Sequence, residues 1–147
     1  MALAVGGLGV FSDQTAVRVW DGVEAREERI ELTVADDSHP VRRRGLRVRR
    51  RSLAPHDVVD WDGLRVTTPQ RSFVDVAERL WLPSLVAVGD DFLRRGLCTS
   101  ADIGEVLARS VGQRGVRRAR QAWRMLDERA DSPRESMTRA LIVMSGL

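Results

Sequence analysis

The order of apolar and polar residues divides the chain into a first half with strand periodicity and a second half with helix periodicity. In the range 30–34, apolar residues alternate with Glu31 and Thr33, which is the period of a strand with one buried and one solvated face. The range 46–49 repeats this alternation, and its arginines are expected on the solvent face. These two segments predict strands joined by a polar connection, residues 36–45.

A further pair of strands is predicted at 58–61 and 64–66, because Asp62-Gly63 between them is a favoured two-residue hairpin turn. Ser12 is suited to capping a short helix from Asp13 to Trp20. The apolar, glycine-rich residues 1–11 are interpreted as a buried strand or a severed element. The first half is therefore predicted to be a small, mainly antiparallel sheet.

After Thr67 the apolar period lengthens to about 3.6 residues, which is typical of helices. Arg71 and Asp75 have the i,i+4 spacing of a helical ion pair. The predicted helices begin near Thr68, Pro83, Thr99, Val116 and Ser132. Together with the sheet they predict an α+β fold in which a bundle of about five helices follows the strands.

Composition limits the class of protein. A chain of 147 residues is long enough to bury a core without disulfides or metals, and its one cysteine, Cys98, cannot form an intramolecular disulfide. No charged segment followed by a long apolar run marks a signal peptide or a membrane span. We therefore expect a cytoplasmic protein without a membrane partner.

All twenty-four basic residues are arginine, and the net charge is +3. Arginine makes bidentate contacts with phosphates and guanine edges, which suits nucleic acid. A high-GC genome also favours arginine over lysine, and we weigh this bias as the larger cause. The absence of lysine leaves a Walker phosphate loop, a Schiff-base enzyme and an E-x-K nuclease motif incomplete. We expect no catalytic residue in this chain alone and no cofactor.

Two basic clusters are the candidate nucleic-acid contacts. The first consists of Arg42, Arg43, Arg44, Arg47, Arg49, Arg50 and Arg51, and the second of Arg114, Arg117, Arg118, Arg120 and Arg124. Each contact with a phosphate would add to the salt dependence of binding. The alternatives are a charged edge strand that resists aggregation and an ordinary solvated helix face. No aromatic residue interleaves the first cluster, so base stacking is not predicted there.

Neither the acidic residues nor the cysteine indicates a reactive site. Asp57, Asp60 and Asp62 lie near His56, but Asp62 is explained by its turn, and two histidines in the chain provide no strong transition-metal ligand set. Cys98 has no histidine near it in sequence and is interpreted as a small buried apolar residue. We predict no metal site.

The last helix has the most specific start signal. Ser132, Pro133 and Glu135 have the spacing of a capping box. Met137, Leu141 and Met144 then form an apolar face, which is the candidate contact with a protein partner.

Several segments in consistent order resemble AbiEi-type antitoxin-like proteins of high-GC bacteria. They are Ser12–Trp20, Leu64–Ala77, Asp91–Gly96, Gly112–Arg118 and Asp131–Ser136. Such proteins carry a winged helix before these segments and continue into a Vsr-like endonuclease domain with a PD-(D/E)xK-type fold. The resemblance implies an antitoxin-like α/β domain over 1–130 and the first nuclease helix over 131–147, with truncation at both ends. It carries Glu135 over as the acidic residue of that helix, and the sequence departs from the family at Asp13, where histidine is common.

Three interpretations of function follow. The first is a non-catalytic, antitoxin-like regulatory domain whose arginines bind DNA, with a toxin or a nuclease core as the protein partner. The second is a subunit or fragment of a Vsr-like endonuclease that lacks its catalytic core, because Glu135 alone cannot activate water or hold two metal ions. The third is a gene remnant without function.

Overall fold

The computed structural model describes residues 9–20, 28–35 and 42–146. Within them lie five strands and six helices; one helix lies between the first two strands, and the other five follow the last strand. The strands are β1 Val10–Phe11, β2 Ile30–Val34, β3 Leu46–Arg50, β4 Val58–Trp61 and β5 Leu64–Thr67. The helices are α1 Asp13–Val19, α2 Pro69–Val76, α3 Leu82–Arg94, α4 Ser100–Arg109, α5 Val116–Trp123 and α6 Pro133–Met144. A 3-10 turn, Pro55–Asp57, precedes β4. The predicted α+β class is confirmed.

The strands form one sheet in the order β3-β2-β1-β5-β4. β1 pairs with β2, and β4 with β5, in antiparallel orientation, whereas β2 pairs with β3, and β1 with β5, in parallel. The sheet is therefore mixed rather than mainly antiparallel. Local turn signals specify only the two strands that they join, so the parallel pairs between distant segments were not visible in the sequence.

The hairpin turn and the start of α2 acted as predicted, whereas Ser12 precedes α1 without a capping hydrogen bond, because its hydroxyl donates to the Asp13 carboxylate instead. Asp62 and Gly63 have φ of 49° and 78°, the positive values that a tight hairpin turn between β4 and β5 needs. The Thr68 hydroxyl accepts from the Arg71 amide at the start of α2. The Ser132 hydroxyl accepts from the Glu135 amide at the start of α6 as predicted. The Glu135 carboxylate accepts from the Asp131 amide rather than from that of Ser132, so the predicted capping box is only half formed.

The predicted faces of β2 are wrong. Ile30 is 37% exposed, whereas Glu31 and Thr33 are fully buried beside the buried Leu32. The interior accepts Glu31 because the amide of Gln14 donates to its carboxylate and Arg79 forms an ion pair with it. Both sides of β2 are thus covered, and one of them is a buried polar layer.

The helices pack around a continuous apolar core that includes Phe73, Leu85, Phe92 and Ile103. α6 joins this core through the buried Ser136 and Ala140, and Arg139 forms an ion pair with the buried Asp90 of α3. Across the described parts of the chain, no helix has the length and apolar character needed to cross a bilayer. Residues 1–8, 21–27, 36–41 and 147, which include Gly22 and much of the predicted polar connection, lie outside the described residues.

Candidate nucleic-acid interface

The first basic cluster begins at one edge of the sheet. β3 is an edge strand, and Arg42, Arg43 and Arg44 lie exposed directly before it, with Arg50 exposed at its end. An edge strand with long basic side chains resists pairing with other sheets. The same four guanidinium groups are accessible to a polyanion.

The central arginines of β3 are not on a free solvent face. The register pairs Arg47 with Glu31 and Arg49 with Thr33, so they lie on the side of the sheet that holds the buried polar layer. Arg49 forms an ion pair of 2.5 Å with Glu78, which follows α2. Arg47 lies 3.8 Å from the Glu31 carboxylate and keeps 37% of its side chain exposed. Arg47 is thus accessible at the rim, whereas Arg49 is largely occupied.

Arg51 is an interior residue. Its guanidinium donates to both oxygens of Asp13, at 2.8 and 3.0 Å, and lies 3.5 Å from Asp75. Burial alone would lower the pKa of Arg51, but the carboxylates of Asp75 and Asp13 raise it above its ordinary value. Burial raises the pKa of Asp75, whose Oδ2 has no hydrogen-bond partner. Arg51 therefore holds the sheet to α1 and α2.

The second cluster divides in a similar way around α5. Arg118 donates to the carbonyl oxygens of Ala77, Glu78 and Leu80, and Arg120 donates to that of Leu107. These two arginines flank the buried side of α5 and fix it to its neighbours. Arg118 is exposed despite these contacts. The remaining three, Arg114, Arg117 and Arg124, are also exposed, and Arg114 has 89% of its side chain accessible.

The structure brings the two clusters together at Glu78. Its carboxylate lies 2.5 Å from Arg49 of β3 and 3.9 Å from Arg114, which precedes α5. Gly115 makes this approach possible, because a Cβ there would lie 2.4 Å from the Glu78 amide nitrogen. Arg50 lies on the other face of β3 from Arg47 and Arg49, because side chains alternate along a strand. We name the other accessible arginines of the two clusters that do not bind backbone carbonyl oxygens the arginine surface. It consists of Arg42, Arg43, Arg44, Arg47, Arg114, Arg117 and Arg124.

The acidic residue Asp57 and the cysteine Cys98 have surroundings that explain them as structural rather than reactive residues. Asp57 accepts from Arg109 and lies near Arg71, and these contacts lower its pKa although burial acts to raise it. Within residues 9–20, 28–35 and 42–146, no three histidine, cysteine or acidic side chains are grouped for metal binding. Cys98 is buried, and burial raises its pKa to about 12, so its thiol is not activated.

The predicted partner residues lie along α6. Glu135 is exposed in the first turn, Met137 is half-buried, and Leu141 and Met144 are 43% and 48% exposed. Ile142 and Val143 between them are also exposed, so the end of α6 is apolar on more than one side.

Sequence reasoning missed three residues that belong to the arginine surface or its border. Glu78 links the clusters, Arg79 pairs with Glu31, and Trp81 is 53% exposed directly after Leu80, whose carbonyl binds Arg118. Glu78 is separated from Arg49 by 29 positions and from Arg114 by 36 positions. No local pattern signals such contacts; Gly115, which permits the close approach to Glu78, was the one available hint.

Comparison with known proteins identifies two relatives and one family. The chain is 34% identical over 85 residues to Uncharacterized protein MT2308 and to Uncharacterized protein Rv2248, both of Mycobacterium tuberculosis. The match covers 58% of this chain and 31% of each relative, so the chain corresponds to less than a third of their length. No solved structure matches. The model of the family described as AbiEi antitoxin C-terminal domain matches residues 7–128, and the chain belongs to this family.

Proposed function

We propose that this chain is a non-catalytic, antitoxin-like regulatory domain that binds duplex DNA through the arginine surface. The family supports the antitoxin-like regulatory role. The observation that carries the DNA-binding part is that Arg49 and Arg114, one from each basic cluster and distant in sequence, meet at Glu78. Guanidinium groups spaced across one surface suit the phosphates of a duplex backbone.

The proposal limits the contacts to accessible arginines. Arg51 is held by Asp13, and Arg118 by three carbonyl oxygens, so their replacement would act mainly on stability. Arg42, Arg43 and Arg44 are exposed and are the best residues for a test. Contacts of this kind fix position on the backbone and do not read bases, so we expect weak sequence preference.

The absence of catalysis is proposed from the environment of the buried carboxylates. Asp13 and Asp57 each accept from arginine side chains, and Asp75 accepts from Arg71 and Gln113. Carboxylates held in this way are structural partners rather than groups placed against a substrate. The toxin that such a domain would neutralise is the expected protein partner, and the apolar face of Met137, Leu141 and Met144 on α6 is the proposed contact with it.

The test is the affinity of the purified chain for a labelled duplex between about 50 and 200 mM salt, with Arg42, Arg43 and Arg44 changed together to alanine. The matched control changes Arg65, Arg129 and Arg134, which are also exposed and carry the same total charge. We expect the first variant to bind more weakly and with a smaller salt slope, and the control to retain most of the affinity. Equal loss in both variants would contradict the proposal, because it would mean that only net charge matters.

A second candidate, a subunit or fragment of a Vsr-like endonuclease, is favoured by the end of α6. Its exposed Leu141, Ile142, Val143 and Met144 suit packing against a further sheet or helix, and Glu135 is exposed one turn inside the same helix. The test is Mg²⁺-dependent plasmid cleavage by the chain purified together with the product of an adjacent reading frame. Cleavage that is lost in Glu135→Gln supports this candidate, and cleavage that is unchanged in that variant contradicts it.

A further inference from the structure

An exposed aromatic residue lies close in the chain to Glu78, where Arg49 and Arg114 meet. Trp81 caps the start of α3 and is 53% exposed. Leu80 directly precedes Trp81, and its carbonyl oxygen lies 3.0 Å from the Arg118 guanidinium. Arg118 also reaches the Glu78 carbonyl, and the Glu78 side chain faces Arg114 and Arg49. Trp81 is therefore three positions from the residue at which the two basic clusters meet.

The aromatic surroundings of Trp81 differ from those of the other exposed tryptophan, Trp61. Trp61 is 50% exposed, but its ring packs on Trp20 with a centroid distance of 4.9 Å. Among the described rings this is the one aromatic pair, and Trp81 has no aromatic neighbour there. Packing against Trp20 accounts for the position of Trp61. About half of the Trp81 side chain remains in water.

A tryptophan beside guanidinium groups has the chemistry of a single-strand binding site. Arginines follow the backbone phosphates, and an exposed aromatic ring stacks on an unpaired base, whichever base it is. A duplex keeps its bases stacked on one another, so it offers no free base face to Trp81. We propose, on the basis of the proposed function, that the arginine surface also accepts a single-stranded DNA segment with one base stacked on Trp81.

This proposal predicts that the indole matters for single strands and not for duplexes. The probe is a labelled oligo(dT) of about 20 nucleotides, longer than the ~4–16 that a small domain covers, beside a duplex of the same length. We expect Trp81→Ala to weaken oligo(dT) binding about 5- to 100-fold, the range for losing one stacked base, and to leave duplex binding within about 2-fold. Trp81→Phe should recover most of the loss. Trp61→Ala, at a site of equal exposure, should change neither affinity.

A second measurement does not depend on the folding of any variant. An abasic oligonucleotide has the same phosphates as oligo(dT) but no bases, so the unaltered chain should bind it about 5- to 100-fold more weakly. Equal affinity for the two oligonucleotides, or an equal loss of duplex and oligo(dT) binding in Trp81→Ala, would overturn the stacking proposal. If neither oligonucleotide nor duplex binds, the proposed function itself fails. Duplex binding that requires Arg42–Arg44, without any effect of Trp81 or of the bases, would overturn only this inference.

Discussion

Gly115 provides the sharpest test of how α5 is placed against α2. Its φ is 82°, in the left-handed region, and a Cβ would lie 2.4 Å from the Glu78 amide nitrogen and 2.9 Å from the Ala77 carbonyl carbon. Gly112 has nearly the same φ, 83°, but a Cβ there would meet nothing within 4 Å. The two glycines therefore share the backbone strain and differ in the collision.

The expected losses in the free energy of unfolding follow from this difference. An alanine in the left-handed region costs about 1–2 kcal/mol, which is the full effect expected for Gly112→Ala. The collision at Gly115 is with backbone atoms, which cannot rotate away as a side chain can, and overpacking of this kind adds about 1–3 kcal/mol. Gly115→Ala should therefore destabilise the fold by about 2–5 kcal/mol.

Urea denaturation followed by far-ultraviolet circular dichroism measures both variants in the same buffer. We expect Gly115→Ala to lose at least about 1 kcal/mol more than Gly112→Ala. Since α5 carries Arg117, and Arg114 lies just before it, the remaining folded protein should also bind duplex DNA more weakly. Equal destabilisation by the two substitutions would refute the close contact between Gly115 and Glu78.

Three further predictions test other contacts. Asp57→Asn should lower the free energy of unfolding by about 2–4 kcal/mol near neutral pH, because it weakens the ion pairs with Arg71 and Arg109. Since the fold lowers the pKa of Asp57, its stabilisation is present above the ordinary pKa and should disappear in urea titrations as the pH falls through the lowered value. At neutral pH the exposed Asp60→Asn should change the free energy of unfolding by less than about 0.5 kcal/mol. Glu78→Gln should tighten duplex binding a few-fold at low salt, because it removes a negative charge between Arg49 and Arg114. The control is Glu105→Gln, an exposed position of α4. Weaker duplex binding by Glu78→Gln, or an equal gain in Glu105→Gln, would contradict the role of Glu78 between the two clusters. In the same urea experiment, Ala140→Gln should lower the free energy of unfolding by about 1–3 kcal/mol, because Ala140 is fully buried. Val143→Gln, at a position that is 56% exposed, should change it by less than about 0.5 kcal/mol. Similar losses in both variants would contradict the observed burial of Ala140 and mean that α6 is rotated.

The sequence predicted those elements whose signals are local. Asp62-Gly63 specified the β4–β5 hairpin, and Thr68-Pro69 the start of α2, because turn geometry and capping depend on a few adjacent residues. The pairing of β2 with β3 depends on atoms that the chain brings together from a distance, and no local pattern contains it.

The faces of β2 show why part of the candidate site was also out of reach. An alternating pattern assigns charged residues to solvent, yet Glu31 is buried because Arg79 neutralises it and the Gln14 amide donates to it. The sequence likewise contains no sign that Arg51 differs from the exposed arginines of its cluster, yet its guanidinium pairs with the Asp13 carboxylate. Which arginines remain accessible is decided by acidic partners elsewhere in the chain.

The central claim is that the two basic clusters contact one DNA duplex together. The most direct measurement is the salt slope of duplex affinity for four proteins: the unaltered chain, the variant without Arg42–Arg44, the variant without Arg114 and Arg117, and the two combined. Each lost phosphate contact should reduce the slope by about 0.9. We predict that both variants reduce the slope and that the combined variant reduces it by the sum. A slope that changes in neither variant, or in only one of them, would contradict a shared DNA-binding surface.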